Sequence, residues 1–126
     1  MDLLLDTHIL LWWEWKSSDL PATAKAAIED TENRLIVSAA TIWEIAIKRN
    51  TARLVFEGDI IASCKASAFE ILPIGAEHAD LAGSLPLHHT DPFDRMLIAQ
   101  ARIERLVLLT EDRKLLRYGV PVLGAS

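Results

Sequence analysis

The sequence predicts an α/β protein, with a central parallel sheet of about four to five strands sandwiched between helices as a three-layer α/β/α domain. Three observations predict it. Short, wholly apolar runs recur: Leu3-Leu4-Leu5, Leu35-Ile36-Val37 and Leu106-Val107-Leu108-Leu109. Runs that are apolar at every position suit strands covered on both faces, as strands of parallel sheets are. Longer stretches with helical spacing separate the runs, which is the alternation of a βαβ chain.

Each element follows in order. Asp2–Leu5 is strand one, and a short helix begins near Thr7, where Ile9, Trp12, Trp13 and Lys16 keep helical spacing. Pro21 suits the first position of a second helix, with the strong helix formers of Ala22–Asp30 behind it. Leu35–Val37 is strand two, and Ser38 can cap a helix running to about Arg49. Gly58 marks a loop, Asp59–Ser67 a helix, and Phe69–Ile74 strand three, which Pro73 assigns to an edge or a strand end. Ala76–Leu85 is helical and Pro86–Thr90 a loop. Asp91–Glu104 is a strong helix with Pro92 in its first turn. Leu106–Leu109 is strand four, expected to be central. Asp112–Tyr118 is a short helix ended by Gly119, and Pro121–Leu123 a last short strand.

A chain of 126 residues suits one domain, residues 1–126, with a real core. No apolar stretch approaches the roughly 20 residues that span a bilayer. The N-terminus lacks the basic start and long apolar core of a signal peptide, so a cytoplasmic location is expected. Cys64 is the single cysteine, which excludes an internal disulfide and reads as a small apolar residue in a helix. A net charge of −5 argues against gripping nucleic acid by bulk electrostatics, but suits an enzyme whose acids hold metal.

Four carboxylates recur where a parallel sheet would gather them. Asp6 ends strand one, at the sheet edge where α/β proteins bind ligands, although Asp is also a favoured helix cap. Glu44 has apolar neighbours in Thr41-Ile42-Trp43-Glu44-Ile45-Ala46-Ile47-Lys48, which reads as a helix buried on most faces. A buried carboxylate there is costly unless it is paired or bound to metal, and Lys48, four residues on, offers the pairing. Asp94 falls at the third helical position after Asp91 as cap, where acids favour the helix dipole. Asp91 has the stronger structural excuse, so Asp94 ranks above it for metal. Asp112 follows strand four, with a first-turn role behind a Thr110 cap as its plain explanation.

As a set, these acids with no nearby cysteine fit Mg²⁺ or Mn²⁺, which prefer oxygen ligands. Such ions can activate water against a phosphodiester. Thr7 or Thr110 could donate a hydrogen bond to a ligand or phosphate, and both also suit caps. His8, His78, His88 and His89 lack zinc-ligand spacing, and His88-His89 reads as a solvated loop pair, with phosphate contact a lesser reading. Trp12 and Trp13 share the face of Ile9 and belong to core or interface. Trp15 falls off that stripe and is a candidate protein contact.

Four segments together resemble the PIN-domain family, closest to its VapC-type toxins. They are Leu3-Leu4-Leu5-Asp6-Thr7-His8, Ser38-Ala39-Ala40-Thr41-Ile42-Trp43-Glu44-Ile45, His89-Thr90-Asp91-Pro92-Phe93-Asp94-Arg95-Met96-Leu97-Ile98-Ala99-Gln100-Ala101 and Leu109-Thr110-Glu111-Asp112. The resemblance covers essentially the whole chain. It implies the three-layer fold and an Mg²⁺- or Mn²⁺-dependent endoribonuclease, the toxin of a type II toxin–antitoxin pair. Its acidic quartet falls on Asp6, Glu44, Asp94 and Asp112, and its Thr or Ser on Thr110. It further implies a homodimer silenced by a protein antitoxin. The alternative is a catalytically silent interaction module of the same fold. A receiver domain would need an acid at the end of strand three, where Leu72-Pro73-Ile74 stands. An aspartyl-phosphate phosphatase would need an acid at position 8, where His8 stands.

Overall fold

A computed structural model describes residues 1–125, so residue 126 of the expected domain lies outside the described residues. The elements are β1 (Asp2–Leu5), α1 (Thr7–Glu14), α2 (Ala22–Glu29), β2 (Arg34–Ser38), α3 (Ala39–Asn50), α4 (Ile60–Ala66), β3 (Glu70–Leu72), α5 (Ala76–Ser84), α6 (Pro92–Glu104), β4 (Val107–Thr110), a 3₁₀ helix (Arg113–Tyr118) and β5 (Val122–Gly124). The strands form one parallel sheet in the order β3-β2-β1-β4-β5.

The strand register sorts the apolar runs into two cores. Leu4 pairs with Ile36 on one side and Leu108 on the other, and Leu108 pairs with Val122. That row packs against Leu97, Ile98 and Ala101 of α6 and Leu115 and Tyr118 of the 3₁₀ helix. The adjacent rows, Leu3-Leu35 and Leu5-Leu109, point to the opposite face. There they meet Ile9 and Leu10 of α1, Ala24 and Ile28 of α2, and Ile60 and Cys64 of α4. Side chains alternate between the faces of a strand, so a continuous apolar run feeds both cores at once. This is the three-layer α/β/α arrangement the sequence predicts.

Several boundaries shift for local reasons. β3 is shorter than Phe69–Ile74: the Phe69 N–H turns back to the Cys64 carbonyl (2.9 Å), and Pro73 has no N–H to extend the ladder. β3 does lie at an edge, whereas β4 is interior and β1 holds the centre. Pro21 is extended (ψ 148°), so it precedes α2 rather than opening it. Asp59 and Asp91 cap α4 and α6 from outside. The last helix is a 3₁₀ turn starting at Arg113, with Asp112 as its cap in place of the expected Thr110. β5 extends to Gly124, whose φ of +113° and close approach to the Thr110 carbonyl leave no room for a side chain.

α3 is not buried on most faces. Trp43 is 60 % exposed and Ala46 is exposed, while Ala40, Thr41, Glu44 and Ile45 face inward. The apolar residues around Glu44 in sequence therefore fall on two faces of an amphipathic helix, and Glu44 itself lies on the buried one. Cys64 is fully buried, and burial followed by the nearby Glu14 charge pushes its thiol up to about 11. Trp12 and Trp13 are half-buried against the first core, and Trp15 is exposed. Among the described residues, no helix is long and apolar enough to cross a membrane.

Candidate active site

Asp6 stands one residue past β1, with its N–H continuing the ladder to the Leu109 carbonyl (2.9 Å). It occupies the cap position of α1, yet its side chain makes no capping hydrogen bond. The carboxylate instead accepts a hydrogen bond from Thr110 Oγ1 (2.5 Å), at the end of the neighbouring strand. Asp6 is 5 % exposed, and burial raises its pKa above the usual carboxylate range despite the Thr110 bond and the nearby His8. Thr110 also accepts from the Asp112 N–H (3.0 Å), so one buried hydroxyl links both acids of this edge.

Glu44 arrives from the other side of β1. Its Oε1 accepts from Thr7 Oγ1 (2.7 Å) and its Oε2 from Lys48 Nζ (2.8 Å). The pairing with Lys48 thus forms, at a Glu44 side chain only 8 % exposed. Thr7 is not a cap: its hydroxyl is buried between Thr41 and Glu44.

The acids three apart at the start of α6 separate cleanly. Asp91 spends Oδ1 on the N–H groups of Phe93 (2.8 Å) and Asp94 (3.1 Å), a helix cap. Asp94 turns inward, where its Oδ2 lies 2.9 Å from His89 Nε2, and Asp112 Oδ2 lies 3.7 Å from the same nitrogen. Burial, then the charges of Asp6, Asp91, Glu44 and Asp112, push the Asp94 carboxyl up to about 8. The other three predicted acids are therefore all close enough to Asp94 to act on it. Asp112 doubles as the cap of the 3₁₀ helix through Lys114 N–H (2.9 Å). A cleft lined by Asp6, His8, Trp12, Glu111 and Asp112 opens beside the cluster.

His89 is the residue that sequence reasoning missed. His88 is exposed, as expected of a solvated pair, but the His89 side chain is only 14 % exposed and sits between two acids. Arg95 was also overlooked. It is 8 % exposed and gives its guanidinium to the carbonyls of Ala82, Leu85, Pro86 and His89 at 2.8–3.2 Å. An arginine inside an otherwise apolar helical stretch was the available signal, because a buried guanidinium needs several acceptors. A third feature is an aromatic pair formed by the chain neighbours of Glu44 and Asp94: exposed Trp43 meets Phe93 edge-on with centroids 5.3 Å apart.

The donor chemistry fits a hard divalent cation. Among the described residues, no lysine or arginine pairs with Asp6, Asp94 or Asp112, so no side-chain cation offsets the charge these acids take on when they ionise. An oxygen each of Asp94 and Asp112 and a ring nitrogen of His89 lie within 4.8 Å of one another, close enough for the two acids to share one ion with the imidazole beside them.

A parallel α/β sandwich with clustered acids at the C-terminal edge of its sheet is the class of protein that fold and site define. The PIN domain profile matches residues 3–121, and the chain belongs to the PIN domain family. It is similar to "Ribonuclease VapC22" of Mycobacterium tuberculosis (strain ATCC 25618 / H37Rv), with 27 % identity over 122 residues, covering 94 % of this chain and 93 % of that one. Its fold matches a chain in the crystal structure of VapBC2 from Rickettsia felis bound to a promoter DNA fragment, with a TM-score of 0.68, 16 % identity and 97 % of each chain covered. A chain of DNA-bound VapBC from Salmonella typhimurium gives a TM-score of 0.67, with 19 % identity over 97 % of this chain and 96 % of that one.

Proposed function

We propose that this protein is a divalent-metal-dependent endoribonuclease, hydrolysing RNA phosphodiester bonds as the toxin of a type II toxin–antitoxin pair. The observation that carries the reading is the largely buried acid cluster at the sheet edge, in which Asp94 feels the charges of Asp6, Glu44 and Asp112 at once. Such a cluster is costly for a merely structural site, because among the described residues the carboxylates of Asp6, Asp94 and Asp112 have no lysine or arginine partner. The relative named as a ribonuclease and the VapBC chains of like fold support the same reading, with a protein antitoxin as partner, while a homodimer rests on the family resemblance alone.

Asp6, Asp94 and Asp112 would hold Mg²⁺ or Mn²⁺, with Glu44 beside them. When bound, the ion supplies Lewis-acid activation of water and neutralises charge developing on the phosphate and leaving oxygen. Thr110 orients Asp6 by donating to it and favours the ionised form against the burial that raises its pKa. Glu44, held at both oxygens by Thr7 and Lys48, is fixed enough to orient the attacking water and accept its proton through a remaining lone pair. Trp43 and Phe93 offer a surface on which an RNA base can stack.

Cleavage of cellular RNA by the purified chain tests the reading. Activity should require Mg²⁺ or Mn²⁺, vanish in excess EDTA, and vanish in Asp94→Asn with the fold retained. Undiminished cleavage in EDTA, or by Asp94→Asn, refutes it. Failure of the wild type to bind either ion in calorimetry would favour the silent interaction module.

A further inference from the structure

Resting on that nuclease reading and deepening it, we propose that His89 is a positioning residue: its Nε2–H holds the Asp94 carboxylate in place from just outside the ion's ligands. The contacts of His89 on all sides carry this assignment. Its backbone N–H donates to Tyr118 Oη (2.8 Å), and its carbonyl accepts from Arg95 Nη1 (3.2 Å). Tyr118 Oη in turn donates to the Pro86 carbonyl (2.8 Å), and Arg95 Nη1 binds the same carbonyl (3.1 Å). A loop with neither helix nor strand is thus clamped at both ends by two buried side chains. Clamping of that kind is what a site needs to hold a group to within a fraction of an ångström.

The ring is oriented as well. The Asp91 N–H points at His89 Nδ1 (3.3 Å). The hydrogen-bond network therefore assigns Nδ1 as acceptor and places the ring proton on Nε2. That proton faces Asp94 Oδ2 at 2.9 Å, with Asp112 Oδ2 at 3.7 Å. A protonated nitrogen cannot ligate a cation, but it can fix a carboxylate that does. Among the described residues no hydrogen bond engages Asp94 Oδ1, and the imidazole lies between two acids that repel when both are ionised. Asp91 links the two ends of the device. Its side chain starts the helix that presents Asp94, and its N–H turns the histidine that holds Asp94. Direct ligation by His89 would require the proton to move to Nδ1 and the Asp91 bond to break.

Mn²⁺ is the probe for the test, with affinity read by calorimetry and the ion's surroundings by electron spin-echo spectroscopy on the full chain. His89→Ala should weaken Mn²⁺ binding about 10–100-fold, the usual loss when an outer hydrogen-bond partner is removed. His89→Gln, which keeps an N–H at a similar reach, should recover most of it. The wild-type spectrum should show no directly bound nitrogen. If His89→Ala loses its circular-dichroism signature of folding, His89→Phe replaces it as the variant without a donor. Unchanged or tighter Mn²⁺ binding in the folded donor-less variant overturns the proposal, as does a directly bound nitrogen that disappears with His89. In either case a wild type that binds Mn²⁺ and cleaves RNA leaves the nuclease reading standing. A wild type that binds no Mn²⁺ overturns both.

Discussion

Replacing Asp94 with Asn removes an acid held well above its ordinary pKa, and should stabilise the metal-free protein while abolishing its response to metal. The carboxyl is raised from 3.8 to about 8 by burial and by four neighbouring acids. The folded protein then keeps the Asp94 proton over a range where the unfolded chain has released it. Raising the pH from about 4 to about 8 therefore costs folding free energy. At about 1.4 kcal/mol per pH unit the ceiling is about 6 kcal/mol. The side chain is 19 % exposed, and the titration is shared with its neighbours, so a working figure is about 2–4 kcal/mol. The amide of the Asp94→Asn variant would lack the charge and still accept the His89 hydrogen bond. Urea unfolding followed by tryptophan fluorescence, in EDTA at pH 5 and pH 8, measures the effect. At pH 5 Asp94→Asn should already be the more stable, by only about 0.5–1 kcal/mol. At pH 8 Asp94→Asn should be the more stable by the full working figure, and saturating Mg²⁺ should close or reverse the gap by stabilising only the wild type. A wild type equally stable at both pH values, or an Asp94→Asn variant no more stable at pH 8, would refute the electrostatic reasoning.

Other outcomes follow from the same geometry. Thr110→Val keeps the shape but strands the Asp6 carboxylate and the Asp112 N–H, and should cost about 2–4 kcal/mol in urea unfolding along with most of the cleavage activity. Trp43→Ala, at a residue 60 % exposed, should leave stability within about 0.5 kcal/mol but weaken binding of a fluorescent RNA by about 1–3 kcal/mol, measured in the inactive Asp94→Asn background. Gly124→Ala places a Cβ 2.5 Å from the Thr110 carbonyl at φ +113°, and should lower the unfolding free energy by about 1–3 kcal/mol.

The sheet was legible because its runs are apolar at every position, a pattern that a two-sided strand needs and a surface helix does not. Strand ends were less so: whether Phe69 or Pro73 joins β3 depends on which carbonyl the Phe69 N–H finds, a contact made with Cys64 in another element. The separation of Asp91 from Asp94 was readable, since a Pro at the first helical position fixes the register of the cap. His89 was not. Its setting depends on Tyr118, 29 residues away, and on Arg95, whose carbonyl partners lie in α5 and the following loop. Nor could periodicity show that Glu44 takes the inner face of α3 while its neighbour Trp43 takes the outer.

The chemistry at the cleaved RNA ends tests the central claim most directly. Hydrolysis by an activated water, oriented by this acid cluster, predicts fragments with 5′-phosphate and 3′-hydroxyl ends, produced only when Mg²⁺ or Mn²⁺ is present. Fragments ending in 2′,3′-cyclic phosphate and 5′-hydroxyl, formed equally well in EDTA, would contradict it, because attack by the RNA's own 2′-hydroxyl needs none of the four carboxylates as ligands.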